Sequence, residues 1–157
     1  MLSPELFRSA LSRFPTGVTV VTARDRAGND HGMTVSAFTS LSLVPPLVLI
    51  CVEHTTRLHE GLRTSTHFAV NVLAAGQEPL SHRFADPGDD RFDGVPLVRG
   101  LTGSALLDGA LAIYECAIRD RFPGGDHTII TAEVVAVTVH DGPPLLYHRG
   151  AYTRPAG

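Results

Sequence analysis

The residues from Gly32 to Ser42 offer the side chains that a flat ligand with a polar edge needs. The segment reads Gly-Met-Thr-Val-Ser-Ala-Phe-Thr-Ser-Leu-Ser. We predict a strand over residues 32–38, in which Thr34 and Ser36 face one side because side chains alternate along a strand. Small hydroxyl and alanine side chains let a planar ring approach the backbone, where N–H groups can donate to its edge. A strand with a solvated hydroxyl face has the same pattern, so spacing alone leaves both interpretations open.

A polar run after the third predicted strand is suited to phosphate. Residues 53–57 read Glu-His-Thr-Thr-Arg and lead into a short predicted helix over residues 56–63. Free backbone N–H groups, two hydroxyls and the Arg57 guanidinium at a helix start all favour an anion. The alternative is ordinary helix capping by Thr55 or Thr56, with Arg57 exposed to solvent.

Two other residues are candidate ligand contacts only if the fold places them near these segments. Arg83 precedes Phe84 in a second short predicted helix, and it adds a cation to the phosphate site only if both helices lie at the same end of the molecule. His127 follows the tight turn Gly124-Gly125-Asp126 and begins a long predicted strand, within reach of a ligand at the rim. A single histidine in a turn is usually a surface residue.

Several common sites have no support in the sequence. There is no cysteine pair, no His-x-x-x-His on a predicted helix and no carboxylate triad at ligand spacing, so no metal site is expected. A Gly-x-Ser-x-Gly turn for a serine nucleophile is also absent. No Gly-x-Gly-x-x-Gly turn joins a strand to a helix, so any dinucleotide must bind by other means than the Rossmann fingerprint.

The elements that position these residues are mostly strands. A first helix is predicted from Ser3-Pro4-Glu5, where Ser3 caps and the apolar spacing ends before Pro15. Most strands are joined by turns or by helices too short for a parallel crossover, which favours an antiparallel barrel with small helices at its rim. Predicted strands cover residues 18–23, 32–38, 47–53, 67–73, 110–121, 127–140 and 145–148, with helices over 56–63 and 77–85 and a loop over 86–94.

Composition is typical of one globular domain. The 157 residues are 43% hydrophobic and 18% charged, and the net charge of −3 is spread without a basic stripe, which argues against nucleic acid as a partner. Cys51 and Cys116 lie in apolar runs and are expected to be buried free thiols in a reducing compartment. Neither a secretion signal nor an apolar run of membrane length is visible, so we expect a cytoplasmic protein.

Taken in chain order, these segments resemble the flavin reductase family with the FMN-binding split-barrel fold. The matches cover nearly the whole chain, and although each motif is weak, their order is specific. The matching segments are residues 14–22 (Phe-Pro-Thr-Gly-Val-Thr-Val-Val-Thr), 32–43, 45–48, 68–73, 77, 83–85, 125–128 and 144–152.

The resemblance implies a mainly β fold: a six-stranded antiparallel Greek-key split barrel with short helices at the rim. It implies that residues 1–157 form a single domain, that the protein is a homodimer, and that FMN or FAD binds near the subunit interface. The implied flavin contacts are Met33, Thr34, Val35, Ser36, Ala37, Ser40, Cys51, Val52, Glu53, Thr56, Arg57, Arg83 and Phe84. For NADH or NADPH the implied contacts are His127 first, then Tyr147, His148, Arg149 and Gly150.

The implied activity is hydride transfer from NADH or NADPH to a flavin, with the reduced flavin diffusing to a separate flavin-dependent monooxygenase. His127 is expected to position the dinucleotide and not to take a proton. Leu58 stands where many relatives have a hydroxyl residue, which leaves the choice between FMN and FAD open. Two alternatives also stay open: a flavoprotein that keeps its flavin for an oxidase or other reaction, and a flavin-binding module without enzymatic activity.

Overall fold

Three α-helices and twelve β-strands are present in the computed structural model, which describes residues 1–157. The helices are α1 (Pro4–Leu11), α2 (Arg57–Leu62) and α3 (Glu78–Ala85), and a 3-10 turn covers Ala75–Gln77. The strands are β1 (Thr16–Gly17), β2 (Thr19–Arg24), β3 (Asp30–Val35), β4 (Phe38–Ser42), β5 (Leu47–Glu53), β6 (His67–Val72), β7 (Leu97–Arg99), β8 (Ala105–Leu107), β9 (Ala112–Gly124), β10 (His127–Val139), β11 (Leu146–His148) and β12 (Ala151–Thr153).

The main sheet is antiparallel, as expected, but it has seven strands and not six, in the order β3-β2-β6-β9-β10-β5-β4. The additional strand arises because the single strand expected over residues 32–38 breaks after Val35. β3 pairs with β2, whereas β4 pairs with β5 at the other edge of the sheet. Only Ser36 and Ala37 separate β3 from β4, so the two edges of the sheet must come close together. The sheet therefore curls into a barrel that is open where these two residues lie.

Strand boundaries elsewhere follow the local sequence closely. The strand predicted over residues 47–53 is confirmed as β5, and the two long strands are confirmed as β9 and β10. β9 continues through Phe122 and Pro123, which leaves a two-residue turn of Gly125 and Asp126 before β10. Gly125 has φ +68, a left-handed conformation that glycine adopts without strain. The short strands β1, β7, β8 and β12 were not predicted, because two or three residues carry too little periodicity.

The core fills the barrel from alternate residues of its strands. On β5, Val48, Ile50 and Val52 are buried, whereas the residues between them are half-buried on the opposite face. A second apolar cluster forms around Phe84 of α3. Asn71 is fully buried with both ends of its amide satisfied, since Nδ2 donates to the Val20 carbonyl and Oδ1 accepts from the Leu107 N–H.

The first helix is not packed into the core of its own chain. Ser3 caps α1 by accepting a hydrogen bond from the Leu6 N–H, as predicted, although the helix ends at Leu11 and leaves Phe14 outside it. No residue of α1 is buried, and the apolar side chains of Leu6, Phe7 and Leu11 are exposed. None of the helices has the length and apolar character that crossing a membrane requires.

Candidate functional site

The opening between the sheet edges forms a groove whose backbone donors are free. The N–H groups of Ser36 and Ala37 have no acceptor within the protein, whereas the carbonyl groups of both residues accept hydrogen bonds from Phe38 and Cys51. Beside them lies a groove of about 270 Å³. Its lining residues are Met33, Thr34, Val35, Ser36, Ala37, Cys51, Glu53, Thr56 and His127. The structure thus brings together eight of the predicted flavin contacts and the first predicted dinucleotide contact.

Alternation along β5 decides which of its residues face this groove. Cys51 and Glu53 line the groove, whereas Val52 points to the opposite face and is fully buried in the core. Val52 was predicted as a flavin contact, but the structure leaves only its backbone near the groove. Cys51 is half-buried, which differs from the buried thiol expected there. Cys116 is buried as expected, and desolvation raises the pKa of its thiol to about 12.

A second, larger groove of about 760 Å³ continues from the first and shares Ser36, Ala37 and Cys51 with it. Its other lining is largely apolar and comes from the α1–β1 segment, from β2 and from β4 to β6. Thr16 lies in this lining, and its buried hydroxyl oxygen has no hydrogen-bond partner in the protein. Together the two grooves provide an apolar slot with a few polar groups, the usual character of a small-molecule site.

Helix capping and phosphate binding were the two interpretations of the Thr-Thr-Arg run at the start of α2, and the structure shows the first of them directly. The Thr56 hydroxyl caps the helix, since it accepts from the His59 N–H and donates to the Glu53 carbonyl. Arg57 points out of the helix and forms an ion pair with Asp89. Because α2 has only six residues, its dipole is small. Arg57 was predicted as a flavin contact, but it lines neither groove; it follows Thr56, which does line the first groove.

Arg83 has a different role from the one predicted. Its guanidinium donates to the backbone carbonyls of Asp90, Arg91 and Asp93, at 2.8, 2.7 and 2.5 Å. Arg83 therefore holds the loop over residues 86–94 in place. Phe84, also predicted to contact flavin, is fully buried and packs edge-on against Phe92 with ring centroids 5.1 Å apart.

The His127 side chain is held by its neighbour in the turn. Its Nδ1 lies 2.6 Å from a carboxylate oxygen of Asp126, and this hydrogen bond lowers the pKa of the Asp126 carboxyl. A carboxylate only accepts hydrogen bonds, so Nδ1 carries a proton and Nε2 stays available to another partner. Register pairing places His127 opposite Glu53, which explains why both residues line the same groove.

Two histidines that the sequence analysis did not select connect the elements on this side of the first groove. His54 and His59 each place Nε2 against the Thr128 hydroxyl, at 3.1 and 2.9 Å. Burial is the main cause that lowers the pKa of His59, and the charge of His54 adds to it. The shared hydroxyl links the end of β5, the first turn of α2 and the start of β10. No motif marks this contact, since Thr128 is separated from both histidines by about 70 residues of sequence.

Nearly the whole sequence matches a known family. The model of the flavin reductase like domain matches residues 11–156, nearly the entire chain. The chain belongs to the flavin reductase-like family. The resemblance in the ordered motifs is thereby confirmed.

Relatives in this family share both sequence and fold with the chain. The NADH-dependent FAD reductase of Streptomyces globisporus is 48% identical over 136 residues, which is 83% of this chain and 74% of that protein. In a solved structure, a Streptomyces globisporus NADH:FAD oxidoreductase in complex with NAD and FAD fragments is 43% identical to this chain, with a TM-score of 0.93 over 99% of this chain and 96% of that one. The actinorhodin polyketide dimerase of Streptomyces coelicolor is 42% identical over 90% of this chain and 81% of that protein.

The residues of the grooves fit the flavin that the family implies. An isoalloxazine ring is flat, largely apolar and polar along one edge, and the free N–H groups of Ser36 and Ala37 offer donors for that edge. Both residues are small, so the ring can approach the backbone. The unpartnered Thr16 hydroxyl is a further donor at the apolar groove. No cluster of three or more His, Cys, Asp or Glu side chains in a metal-binding arrangement is present.

Other predicted contacts lie outside both grooves or have their polar atoms occupied elsewhere. Ser40 is exposed on β4 but lines neither groove. Thr34 lines the first groove, but its hydroxyl donates to the Ser81 carbonyl of α3. Tyr147 and His148 belong to β11 in the small sheet with β1, and Arg149 and Gly150 form the turn to β12. None of these four residues lines a groove with His127. Within one chain, the structure does not bring the two sets of predicted dinucleotide contacts together.

Proposed function

We propose that this member of the family is an NADH-dependent flavin reductase that reduces FMN or FAD and releases the product to a separate monooxygenase. The observation that carries the proposal is the pair of free N–H groups at Ser36 and Ala37, located where two grooves meet. The names of relatives support it, among them an NADH-dependent FMN reductase and the reductase subunit of a flavin-dependent monooxygenase. NADPH is the second candidate hydride donor.

The protein contributes binding and alignment to the reaction. A bound flavin supplies the hydride acceptor, and a bound reduced nicotinamide supplies the hydride. The Ser36 and Ala37 N–H groups are placed to donate to the polar edge of the ring, where negative charge increases on reduction. The apolar wall of the larger groove excludes water, and His127 holds the dinucleotide through its free Nε2. We propose no proton transfer by a side chain.

Steady-state turnover tests this function directly. Purified protein with NADH and a large excess of free FMN, FAD or riboflavin should oxidise NADH for many turnovers per chain. A family member that keeps its flavin for another reaction would instead purify yellow and show no acceleration by free flavin. Flavin binding with no NADH oxidation would leave only a flavin-binding module. Either result contradicts the proposal.

Arg57→Ala is expected to weaken FMN binding by about five- to tenfold, because a charge-assisted contact to the phosphate is lost. Riboflavin has no phosphate, so its dissociation constant should change little. Flavin fluorescence titrations measure both constants. Arg63→Ala is the matched control, since Arg63 is also exposed near α2 and pairs with Glu60 at its far end. Equal weakening of FMN and riboflavin would remove Arg57 from the phosphate site.

We propose further that the protein acts as a homodimer. The apolar face of α1 is unpacked in one chain, and Leu43 and Val44 beyond β4 are also exposed. A second copy that covers these surfaces would remove large apolar side chains from water. Light scattering should then give about twice the chain mass of 16.8 kDa. A mass equal to one chain at micromolar concentration would contradict this.

The proposal also covers the domain organisation, the partner and the cellular location of the protein. Residues 1–157 act as one domain, and the partner is a monooxygenase that receives reduced flavin by diffusion. A cytoplasmic location is supported by the two free cysteines, since thiols persist in reducing compartments.

A further inference from the structure

The loop over residues 86–94, called the acidic loop below, places a carboxylate on the cation proposed to bind phosphate. Its sequence is Asp-Pro-Gly-Asp-Asp-Arg-Phe-Asp-Gly. Asp89 forms an ion pair with Arg57, and the Arg57 guanidinium also lies 3.4 Å from the Gly88 carbonyl oxygen. None of the other three aspartates of the loop forms an ion pair with an arginine. Asp89 is therefore the one acid of the loop that occupies Arg57.

The acidic loop is held in this position by two other arginines. Arg83 of α3 donates to three of its backbone carbonyls. Arg91 folds back across the loop, with Nε 2.9 Å from the Asp86 carbonyl and a terminal nitrogen 2.7 Å from the Gly32 carbonyl of β3. The loop is thus anchored to α3 and to β3, the second of which lines the first groove. These hydrogen bonds fix the backbone on both sides of Asp89 and so hold this residue close to Arg57.

We propose that Asp89 competes with the flavin phosphate for Arg57 and so weakens the binding of phosphorylated flavins. The proposal rests on the proposed function, in which Arg57 contacts that phosphate. It makes Asp89 a residue that sets the affinity for FMN and favours release of the product. This matches a reductase that must give up its flavin to another enzyme, in contrast to one that retains it.

The exposure of the pair makes displacement feasible. The side chains of Arg57 and Asp89 are 65% and 85% exposed, and ion pairs this exposed contribute little to stability. A phosphate dianion can therefore take the guanidinium. Asp89 must then either leave, losing its own pair, or stay beside a second anion and be repelled. Both outcomes raise the free energy of the FMN complex, and neither affects riboflavin, which lacks the phosphate.

Asp89→Asn tests the competition, because it removes the charge and keeps the size of the side chain. The variant is expected to bind FMN about two- to fivefold more tightly than wild type, the range typical of one exposed ion pair. Its riboflavin affinity should be unchanged. Asp90→Asn is the matched control, since it removes one negative charge from the adjacent position, whose carboxylate makes no ion pair. That control should leave the ratio of FMN to riboflavin affinity close to the wild-type value.

Two additional measurements separate competition from a general change in charge or loop shape. In an Arg57→Ala background, Asp89→Asn should no longer tighten FMN binding, because the shared partner is gone. The difference in FMN affinity between Asp89→Asn and wild type should also shrink at high salt, which screens exposed charges.

A gain that persists without Arg57, or that appears equally in Asp90→Asn, would overturn the proposal. The proposal is also overturned if the wild-type protein binds both flavins but Asp89→Asn shows no gain in FMN affinity. Wild-type protein that binds neither flavin would instead refute the proposed function.

Discussion

Gly32→Ala is expected to lower the free energy of unfolding by about 1–3 kcal/mol, as overpacking of a filled core does. A β-carbon at this position would lie 2.7 Å from atoms of both Phe84 and Phe92. Phe84 is fully buried and cannot move aside without displacing the cluster around it. Position 32 therefore has no room for a β-carbon. Glycine is needed there because Phe84 of α3 and Phe92 of the acidic loop pack directly against the backbone of β3.

Urea unfolding of the wild type and the variant measures this loss. Gly76→Ala is a suitable control, since an added β-carbon there meets nothing within 4 Å and its stability change should stay within about 0.5 kcal/mol. Combining Gly32→Ala with Phe92→Leu should cost less than the sum of the single changes, because the smaller side chain relieves the clash. Strict additivity of the two substitutions would show that the packing explanation is wrong.

His127→Ala is expected to raise the KM for NADH by about 10- to 100-fold, the loss typical of a hydrogen bond to a charged group. The flavin dissociation constant should stay close to that of the wild type. The reason for the separation is geometric: Asp126 holds Nδ1 of the imidazole, and Nε2 is left free at the rim of the groove, whereas the ring donors at Ser36 and Ala37 belong to another segment. Steady-state kinetics with NADH varied at saturating FMN provides the measurement.

Asp126→Asn provides a graded comparison for that result. The imidazole remains but loses the carboxylate that orients it, so the KM should rise less than in His127→Ala. His140→Ala serves as a distant control, because His140 lies just beyond the other end of β10 and lines neither groove. If His127→Ala abolished flavin binding instead, the assignment of separate flavin and dinucleotide contacts would be wrong.

Local rules account for much of the fold and for part of the site. The strand β5 and the alternation of its buried residues follow from a β-branched apolar run after two prolines. Ser3 and Thr56 cap their helices as residues of their type usually do. The ordered motifs were sufficient to identify the family, which the match over residues 11–156 confirms. Eight of the predicted flavin contacts line one groove together with His127.

Other features depended on contacts between distant parts of the chain. The break at Ser36 and Ala37 was not visible as a turn, because their neighbours all favour strands; it exists because β3 and β4 pair with different partners. Arg83 was predicted to contact a ligand, yet three carbonyls of the acidic loop occupy its donors. Val52 and Phe84 were assigned to the site by their positions in motifs, although their side chains belong to the core.

The sequence alone determined the types of side chain available, their spacing along each element and the family to which the chain belongs. Only the tertiary structure decided that Asp89 meets Arg57 across 32 positions of sequence, or that one hydroxyl, Thr128, joins two histidines. The physical reason is the range of the forces involved. Helix caps and strand alternation depend on residues a few positions apart, whereas pairing of charges and closure of the barrel depend on how the whole sheet curls.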